Sequence, residues 1–525
     1  MRAASHADPG RGASAASLET KDSALPPYHR PVKPADRIDP ADLATTVRVL
    51  ETLHELPDDH PDIKAVKHAA SHMYKALKRE RRTRKRESEL AHDRAITELT
   101  ATGSPIRIDD ETAGIALVSS ASGAFAGELI NPRGCYICKN DFTLVDAFYH
   151  WLCPECAAMS HAKRDQRTDL SGRRALLTGG RAKIGMYIAL RLLRDGAHTT
   201  ITTRFPKDAV RRFSSLPDSA QWLHRLKVVG IDLRDPTQVV SLADEVAAAG
   251  PLDILINNAC QTVRRTPGAY APLVDAEHTP LPSGIDLPEM LTFDRISEAH
   301  PASIAGALAS DPVAHHEGES LEHARAAHSA AAMTALALKA GHASLDAHIA
   351  GTAVDAGGLL PDLQTNNSWT QTVDEVDPLE LLEVQLCNSI APFLLISRLR
   401  PAMAAAAAPR KYVVNVSAME GQFSRRYKGA GHPHTNMAKA ALNMLTRTSA
   451  QEMFETDQIL MTAVDTGWIT DERPHQDKLR IAAEGWHAPL DLVDGAARVY
   501  DPIVLGERGQ DLFGCFVKDY RPSPW

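Results

Sequence analysis

The chain has 525 residues, of which 44% are hydrophobic and 24% charged, and its formal net charge is −8. This length predicts two or more domains, and the composition is typical of a globular protein rather than a disordered or fibrous one. The negative charge argues against non-specific nucleic-acid binding by the whole molecule, and we find no apolar run that resembles a signal peptide or approaches the length of a membrane span.

The N-terminal part of the chain changes composition near residue 40. Residues 1–40 are rich in Ala, Ser, Pro and charge without periodicity, which predicts a disordered tail. Residues 41–130 are predicted to be a helical region, because apolar residues recur at helical spacing from Leu43 and a second helix begins near Ile63. This region contains the basic segment 75–86, with eight Lys or Arg against one Glu. The segment fits either a solvated helix face or a contact surface for nucleic acid or another anionic partner.

Four cysteines form two Cys-x-x-Cys pairs that are fourteen residues apart, Cys135 with Cys138 and Cys153 with Cys156. Two such pairs can place four thiolates around one zinc ion, and a shell of four thiolates leaves no open position for catalysis. We therefore predict a structural zinc module over 131–165, similar to a zinc ribbon or treble clef, with a redox dithiol as the alternative. Cysteines used in this way indicate a reducing compartment, which favours a cytoplasmic protein.

A short apolar strand, a Gly-rich turn and a helix follow one another in residues 174–185. This order makes a pyrophosphate site, because backbone N–H groups at the helix start face the anion. Three further apolar strands follow, ending near Arg204, Asp232 and Asn258. Strands that alternate with helices at this spacing predict an α/β fold, a doubly wound parallel Rossmann-type sheet, over 170–525.

Several motifs in this order resemble the short-chain dehydrogenase/reductase family. The turn from Thr178 to Gly185 is similar to that family's Gly-rich turn, and Asn257-Asn258-Ala259-Cys260 is similar to its Asn-Asn-Ala-Gly. The resemblance covers 171–262 and 376–525, and it implies a dinucleotide-binding oxidoreductase that forms a homo-oligomer. The contacts that it implies for the cofactor are Thr178, Gly179, Ile184, Gly185, Asp232, Leu233, Asn258, Ala259, Lys439, Gly467 and Thr470.

Basic residues near the second strand favour NADP(H) over NAD(H), which stays the alternative. A basic residue at the end of this strand accommodates a 2′-phosphate, and Arg204 stands there. Arg181 and Lys183 add positive charge to the phosphate turn. Lys183 replaces the second glycine of the family turn, and we expect its ammonium group to bind the pyrophosphate.

The resemblance assigns catalytic roles to Asn388, Ser417, Thr435 and Lys439. The family donates a proton from a Tyr four residues before the Lys, but Thr435 stands at that position. A threonine hydroxyl is a far weaker acid than a phenol, whose pKa is about 10. Ser417 lies one residue before the family's Ser position, so its role requires a local shift of the chain.

The loop between Gly421 and Thr435 offers substitutes for the missing Tyr. It contains Tyr427, Lys428, His432 and His434. A histidine in this loop is predicted to titrate near neutral pH, which suits a general acid, and we expect His434 to do so. Ordinary loop residues without a catalytic role are the alternative for each.

Residues 263–376 form an insertion at a place where the resembling family has a short loop. The insertion opens with a Pro-rich stretch and continues with Ala/His-rich helical stretches around 302–310 and 318–348. Loops that leave the carboxyl ends of parallel strands border the ligand crevice. We therefore expect the insertion to build or cover the substrate site, with a peripheral oligomerisation element as the alternative.

Two functions remain open from the sequence. The first is an NADP(H)-dependent oxidoreductase with an altered proton relay, acting on an unidentified carbonyl or alcohol. The second is a weak or inactive NADP(H)-binding regulatory or scaffold protein, which uses the zinc module and the basic helix to bind a macromolecular partner and does not enter a membrane. Retention of Asn388 and Lys439 favours the first, and the absence of the Tyr favours the second.

Overall fold

In this computed structural model, the described residues are 38–525 except 108–116, 266, 284–285, 294–295, 298, 302–354, 362 and 426. Residues 1–37 of the predicted tail and the predicted helical stretches of the insertion lie outside them. The chain divides into two compact units, Met1–Arg86 and Glu87–Trp525, and each is described by itself.

Two helices open the described chain. Helix α1 spans Pro40–Thr52 and helix α2 spans Pro61–Leu99, with a 3-10 turn at Leu53–Glu55 between them. The side chain of Asp39 caps α1 by accepting the N–H of Ala41 at 2.7 Å. All side chains of the basic segment 75–86 are exposed on α2. A helical N-terminal region is confirmed, but its helices end at Leu99 and a strand begins at Phe125, before the predicted boundary at residue 130.

The cysteine pairs lie in a small module of one hairpin and one helix. Strands β1 (Phe125–Gly134) and β2 (Asp141–Asp146) pair antiparallel, and helix α3 spans Pro154–Arg164. The hydrophobic core of the module also includes Ile469 and Leu490. The module therefore shares its core with a segment that lies more than three hundred residues later in the chain.

A nine-stranded sheet forms the centre of Glu87–Trp525. Its strands are β3 (Arg174–Leu177), β4 (His198–Thr203), β5 (Leu226–Gly230), β6 (Ile254–Asn257), β7 (Glu289–Thr292), β8 (Lys411–Ser417), β9 (Ile459–Asp465), β10 (Phe516–Lys518) and β11 (Arg521–Ser523). They lie in the order β11-β10-β9-β8-β6-β3-β4-β5-β7, and each neighbouring pair is parallel except β10 and β11.

The strand order reverses between β3 and β6. The chain runs outward from β3 to β5 on one side and from β6 through β8 to β10 on the other. Ligands of open α/β sheets bind at the carboxyl ends of the strands at such a reversal. The predicted doubly wound parallel sheet is confirmed. Strand β7, which the sequence did not indicate, comes from the insertion and extends the sheet beyond β5.

Helices cover both faces of the sheet. They are α4 (Lys183–Arg194), α5 (Pro206–Ser214), α6 (Pro236–Ala248), α7 (Ala271–His278), α8 (Pro378–Gln385), α9 (Ala391–Ala404), α10 (Pro433–Asp457), α11 (His475–Ala483) and α12 (Leu492–Glu507). Helices α4 and α12 bury Ile188 and Val499 in one core, and α6 and α9 bury Leu242 and Leu395 in the other. A π-helical turn at Leu386–Ile390 joins α8 to α9.

The expectation that no apolar run reaches the length of a membrane span is wrong. Residues Pro378–Ala404 form a continuous helical segment of 27 residues with a mean hydropathy of 1.5 over its most apolar window, and half of that window is buried. Its apolar side chains, such as Leu395 and Leu399, pack in a core of the sheet. The segment is therefore long and apolar because it fills the interior beside the strands.

Candidate functional site

The Gly-rich turn is joined to the end of β6 at the reversal of strand order. The hydroxyl of Thr178 accepts the N–H groups of Asn258 and Ala259, each at 3.0 Å. The side-chain amide of Asn258 donates to the carbonyls of Thr178 and Gly179 at 3.1 Å. These four bonds hold the turn in one conformation.

Backbone conformation favours glycine at one position of this turn, and close packing requires it at another. Gly179 has a φ of +70°, and a Cβ on Gly185 would lie 1.9 Å from the carbonyl oxygen of Gly179. Helix α4 starts with Ala182 at its N-cap and has no side-chain cap. The first N–H groups of a helix without a side-chain cap attract an anion. The turn therefore fits the pyrophosphate of a dinucleotide.

The two cations predicted to serve the phosphate turn each face a carboxylate. The Arg181 guanidinium lies 2.5 Å from Asp208, and the Lys183 ammonium lies 3.2 Å from Asp355 in the insertion. Lys183 has a φ of +53°, a left-handed conformation that favours the glycine it replaces. The ammonium group that we expected to bind the pyrophosphate thus contacts an acidic side chain in this structure.

Arg204 directly follows the end of β4 and is part of an aromatic and cationic cluster. Its guanidinium donates to the Tyr270 hydroxyl at 3.3 Å and lies 5.0 Å from the centre of the Tyr270 ring. The Tyr270 oxygen raises the pKa of Arg204. Burial raises the pKa of Tyr270, but the positive charges of Arg204, Arg234 and Arg265 outweigh that effect and lower it. The cluster is a positively charged surface at the position predicted for the 2′-phosphate.

Asp232, a predicted cofactor contact, is paired with Arg234 and His300. Its carboxylate accepts the Nε–H of Arg234 at 2.9 Å and lies 3.4 Å from the ring of His300. Burial alone raises the pKa of Asp232, but Arg234 and His300 together hold it well below its usual range. The next residue, Leu233, is buried in the core.

Thr435 and Lys439 lie one turn apart on α10, and both are buried. The Lys439 ammonium donates to the carbonyl of Val416 at 2.8 Å. The Thr435 hydroxyl lies 3.4 Å from the carbonyl of Thr262 and 3.5 Å from Nε2 of His434. Thr435 therefore contacts a histidine where the sequence had indicated no partner.

Ser417 and Asn388 make contacts that differ from the predicted relay. The Ser417 hydroxyl donates to Asn443 at 2.6 Å, and Asn443 lies eight residues beyond Thr435, a rise of about 12 Å along the helix. The Asn388 side chain accepts the N–H of Gln261 and donates to its carbonyl, both at 2.8 Å. Ser417 thus contacts α10 about two turns beyond Thr435, and Asn388 fixes the chain that follows β6.

The four candidate acids of the loop have very different surroundings. Tyr427 is 77% exposed, and the Lys428 ammonium donates to the carbonyl of Met419 at 2.7 Å. His432 stacks on Trp369, with ring centres 4.1 Å apart. Burial, helped by His432, lowers the pKa of His434 to about 4. The prediction that His434 titrates near neutral pH is wrong, because its ring is buried away from any carboxylate among the described residues.

The described part of the insertion lies against three elements that border the crevice. Asp355 contacts the phosphate turn through Lys183. Asn367 donates to the carbonyl of Glu472, beyond β9, at 2.9 Å. Trp369 contacts His432 at the start of α10. These contacts agree with an insertion that covers the site. Sequence reasoning missed Asp355, Asn367 and Trp369, because they belong to no motif.

The chain beyond β9 is braced by the cysteine module. Gly467 has a φ of +76°, and its N–H donates to Asp465 at 2.9 Å. The indole N–H of Trp468 donates to the carbonyl of Thr470 at 3.1 Å, and the backbone N–H of Trp468 donates to the Tyr136 hydroxyl at 2.9 Å. Because Tyr136 lies between Cys135 and Cys138, the module holds the segment that contains the predicted cofactor contacts Gly467 and Thr470.

The thiol sulfurs of Cys135, Cys138, Cys153 and Cys156 all lie within 4.8 Å of one another. The backbone N–H of Cys153 donates to the Cys135 sulfur at 3.3 Å, a bond that suits a thiolate. Four thiolates at this separation repel one another unless a cation lies between them. This set of soft donors fits one tetrahedral zinc ion.

A family model described as short chain dehydrogenase matches residues 173–272. Uncharacterized protein R665 of Acanthamoeba polyphaga mimivirus is 30% identical over 390 residues, which cover 72% of each chain. A probable oxidoreductase of Streptomyces antibioticus is 41% identical over 91 residues, 17% of this chain and 30% of that protein.

The solved structures that match this chain include a carbonyl reductase and a short chain dehydrogenase. The NADPH-bound carbonyl reductase from chicken fatty liver is 17% identical, with a TM-score of 0.40 over 69% of this chain and 98% of its own. A short chain dehydrogenase from Burkholderia cenocepacia in complex with NADP is 18% identical, with a TM-score of 0.39 over 67% of this chain and 97% of its own.

Proposed function

We propose that the chain is an NADP(H)-dependent oxidoreductase for an alcohol or carbonyl substrate, because a short chain dehydrogenase family model matches its residues 173–272. One observation carries this proposal. Thr435 and Lys439 are buried on one face of α10, and Thr435 contacts the carbonyl of Thr262 in the chain that follows β6. This contact supports the proposal, because the uncapped phosphate turn is also bonded to the chain that follows β6.

The cofactor would be held by the turn from Thr178 to Gly185 and by Arg204. The uncapped N–H groups of α4 suit the pyrophosphate, and a guanidinium can grip a 2′-phosphate with two hydrogen bonds. When bound, the nicotinamide supplies or accepts the hydride. NADP(H) should therefore bind more tightly than NAD(H), and Arg204→Ala should remove most of that difference in calorimetry. Equal affinities in the unmodified protein would reject Arg204 as the residue that selects the cofactor.

We propose that the altered relay consists of Thr435 and His434. The substrate oxygen would exchange a proton with the Thr435 hydroxyl, and that hydroxyl with Nε2 of His434. The pKa of His434, about 4, leaves the ring neutral at neutral pH, so the ring can accept a proton but is a poor donor. The relay requires the tautomer in which Nδ1 carries the hydrogen and Nε2 is free to accept. At neutral pH the relay therefore starts with an unprotonated ring, the state that oxidation of an alcohol requires.

The relay is tested with the full chain, NADP⁺ and a panel of secondary alcohols. We expect His434→Gln and Thr435→Val to lower kcat by about 10²–10⁴-fold, the usual cost of losing a proton-transfer group. Thr448→Val, which changes an exposed threonine on the same helix, is the matched control and should leave kcat unchanged. A full rate in His434→Gln would reject the relay. Thr435→Tyr should raise the rate of carbonyl reduction by restoring a phenol.

A second candidate function concerns the basic segment 75–86. It carries eight Lys or Arg against one Glu, all exposed on α2, although the whole chain is acidic. No apolar side chain occurs from 78 to 89, so this stretch has no face that could insert into a lipid surface. We propose that it binds the phosphate backbone of a nucleic acid, and that the protein also acts as a scaffold.

A further inference from the structure

A five-residue loop of the insertion, Asp355–Leu359, carries a buried carboxylate next to the phosphate turn. One carboxylate oxygen of Asp355 accepts the N–H groups of Gly357 and Leu359, each at 2.8 Å. The backbone of Asp355 is bonded to that of Leu359 at 3.0 Å, which closes the loop on itself. The loop therefore fixes the position of its own carboxylate.

The other carboxylate oxygen faces positive charge. It lies 3.2 Å from the ammonium group of Lys183, and the Asp355 side chain is 6% exposed. Burial raises the pKa of Asp355, but Lys183 and Arg265 outweigh burial and lower it. The Asp355 side chain is therefore an ionised carboxylate next to positive charges. The same surroundings would favour a phosphate group.

The contact between Asp355 and Lys183 lies at the helix start that is proposed to bind the pyrophosphate. Lys183 is the first residue of α4, directly after the Ala182 N-cap that leaves the helix start without a side-chain cap. A pyrophosphate at this helix start and the carboxylate of Asp355 would be like charges competing for one ammonium group. Contact of both with Lys183 would bring two like charges together, and their repulsion would weaken the binding of each.

Two hydrogen bonds join the loop and the next residue to parts of the chain other than the phosphate turn. The Arg212 guanidinium donates to the carbonyl of Ala356 at 3.3 Å, and the N–H of Leu360 donates to the carbonyl of Ala269 at 2.9 Å. Both partners lie outside the phosphate turn. Release of Asp355 from Lys183 would therefore leave the turn itself intact.

We propose that the loop Asp355–Leu359 is an autoinhibitory plug whose Asp355 carboxylate occupies Lys183 in the free protein and is displaced by the pyrophosphate of the cofactor. The inference rests on the proposed binding of NADP(H). Part of the binding free energy is spent on opening the plug, so the apparent affinity is reduced by the fraction of molecules that are closed. Removing the carboxylate should therefore strengthen binding, a result that simple damage to the fold does not produce.

The first experiment is calorimetry of NADPH binding to the full chain and to Asp355→Asn. We expect the variant to bind about tenfold more tightly or better, the factor for a plug closed in about nine molecules of ten. Asp374→Asn, which changes an exposed carboxylate of the same insertion, is the control and should bind as the unmodified chain does. Equal or weaker binding by Asp355→Asn would overturn the plug and make Asp355 a support for Lys183.

A second measurement uses the unmodified protein, in case the variant does not fold. On addition of NADPH, amide hydrogen exchange should rise in 355–361 and fall in 178–186. A fall in both segments would overturn the plug, because the loop would then close over the cofactor. Absence of NADPH binding in both proteins would reject the proposed function and the plug together, whereas binding without the predicted differences rejects the plug alone.

Discussion

At the scale of single residues, the site differs from the short-chain dehydrogenase pattern that its motifs resemble mainly through what surrounds each side chain. Thr435 replaces a phenol, and its closest titratable neighbour is a histidine with a strongly lowered pKa. Lys183 replaces a glycine, keeps the left-handed backbone, and gains a carboxylate as partner. In both cases, the chemical consequence follows from the partner more than from the substituted residue itself.

Two buried histidines predict a pH dependence of stability. Burial lowers the pKa of His434 and of His487 to about 4 each, helped by His432 and Arg107 respectively. In the unfolded chain a histidine has a pKa of about 6.5, so between these values the unfolded state binds more protons than the folded state. The free energy of unfolding should therefore fall as the pH drops from about 6.5 to about 4, by roughly 2–3 kcal/mol for each histidine.

The measurement is denaturant unfolding at several pH values within this window. His487→Gln, which removes one of the two groups, should show a smaller loss of stability on acidification than the unmodified chain. An identical pH dependence in the two proteins would mean that His487 is not neutral in the folded state.

At the scale of elements, the cysteine module contacts the segment between β9 and α12, which contains predicted cofactor contacts. Tyr149 donates to Asp494 at 2.6 Å, and Arg164 donates to Asp491 at 2.6 Å, so the module contacts the start of α12. With the bond from Trp468 to Tyr136, it holds both ends of the segment between β9 and α12. We therefore expect the order of that segment to depend on the metal.

Zinc content gives the test at this scale. The full chain should contain about one zinc ion, the number that four thiolates bind in a closed site. Cys135→Ser should lose the zinc, lower the thermal stability and weaken cofactor binding through the segment beyond β9. Cys515→Ser, which changes a cysteine outside the module, should do none of these. A chain without metal, in which the four thiols titrate freely, would refute the zinc site.

At the scale of the whole molecule, charge is distributed unevenly. The chain has a net charge of −8, yet the exposed segment 75–86 has eight basic residues against one acidic residue. An acidic protein with a local basic helix binds polyanions at that helix and repels them elsewhere. The proposed scaffold function therefore depends on a few consecutive turns of α2.

Salt dependence tests nucleic-acid binding by the segment 75–86. If 6–10 phosphates are contacted, affinity should fall by about 10³–10⁵-fold between about 50 and 200 mM salt. Changing Arg81 and Arg82 to Gln should weaken binding and reduce this dependence. The same change at Arg398 and Arg480, which are exposed on other helices, is the control. Binding to anionic vesicles but not to DNA or RNA would contradict the proposal.

The sequence by itself determined the elements that depend on short stretches of chain. The Gly-rich turn, the parallel strands and the helix from Lys183 follow from apolar periodicity and glycine placement, which are local properties. The clustering of the four cysteines also follows locally, because each pair is closed by a knuckle and the two pairs are only fourteen residues apart. Such features need no knowledge of distant residues.

Only the tertiary structure decided which distant groups meet. Asp355 pairs with Lys183, which lies more than 170 residues earlier in the chain. Ser417 donates a hydrogen bond to Asn443, and strand β7 of the insertion pairs with β5 at the edge of the sheet. The low pKa of His434 likewise depends on burial by elements that converge from the whole domain. Contacts between residues far apart in the chain leave no local sequence pattern, because the same side chain could form its hydrogen bond or ion pair with any of many partners.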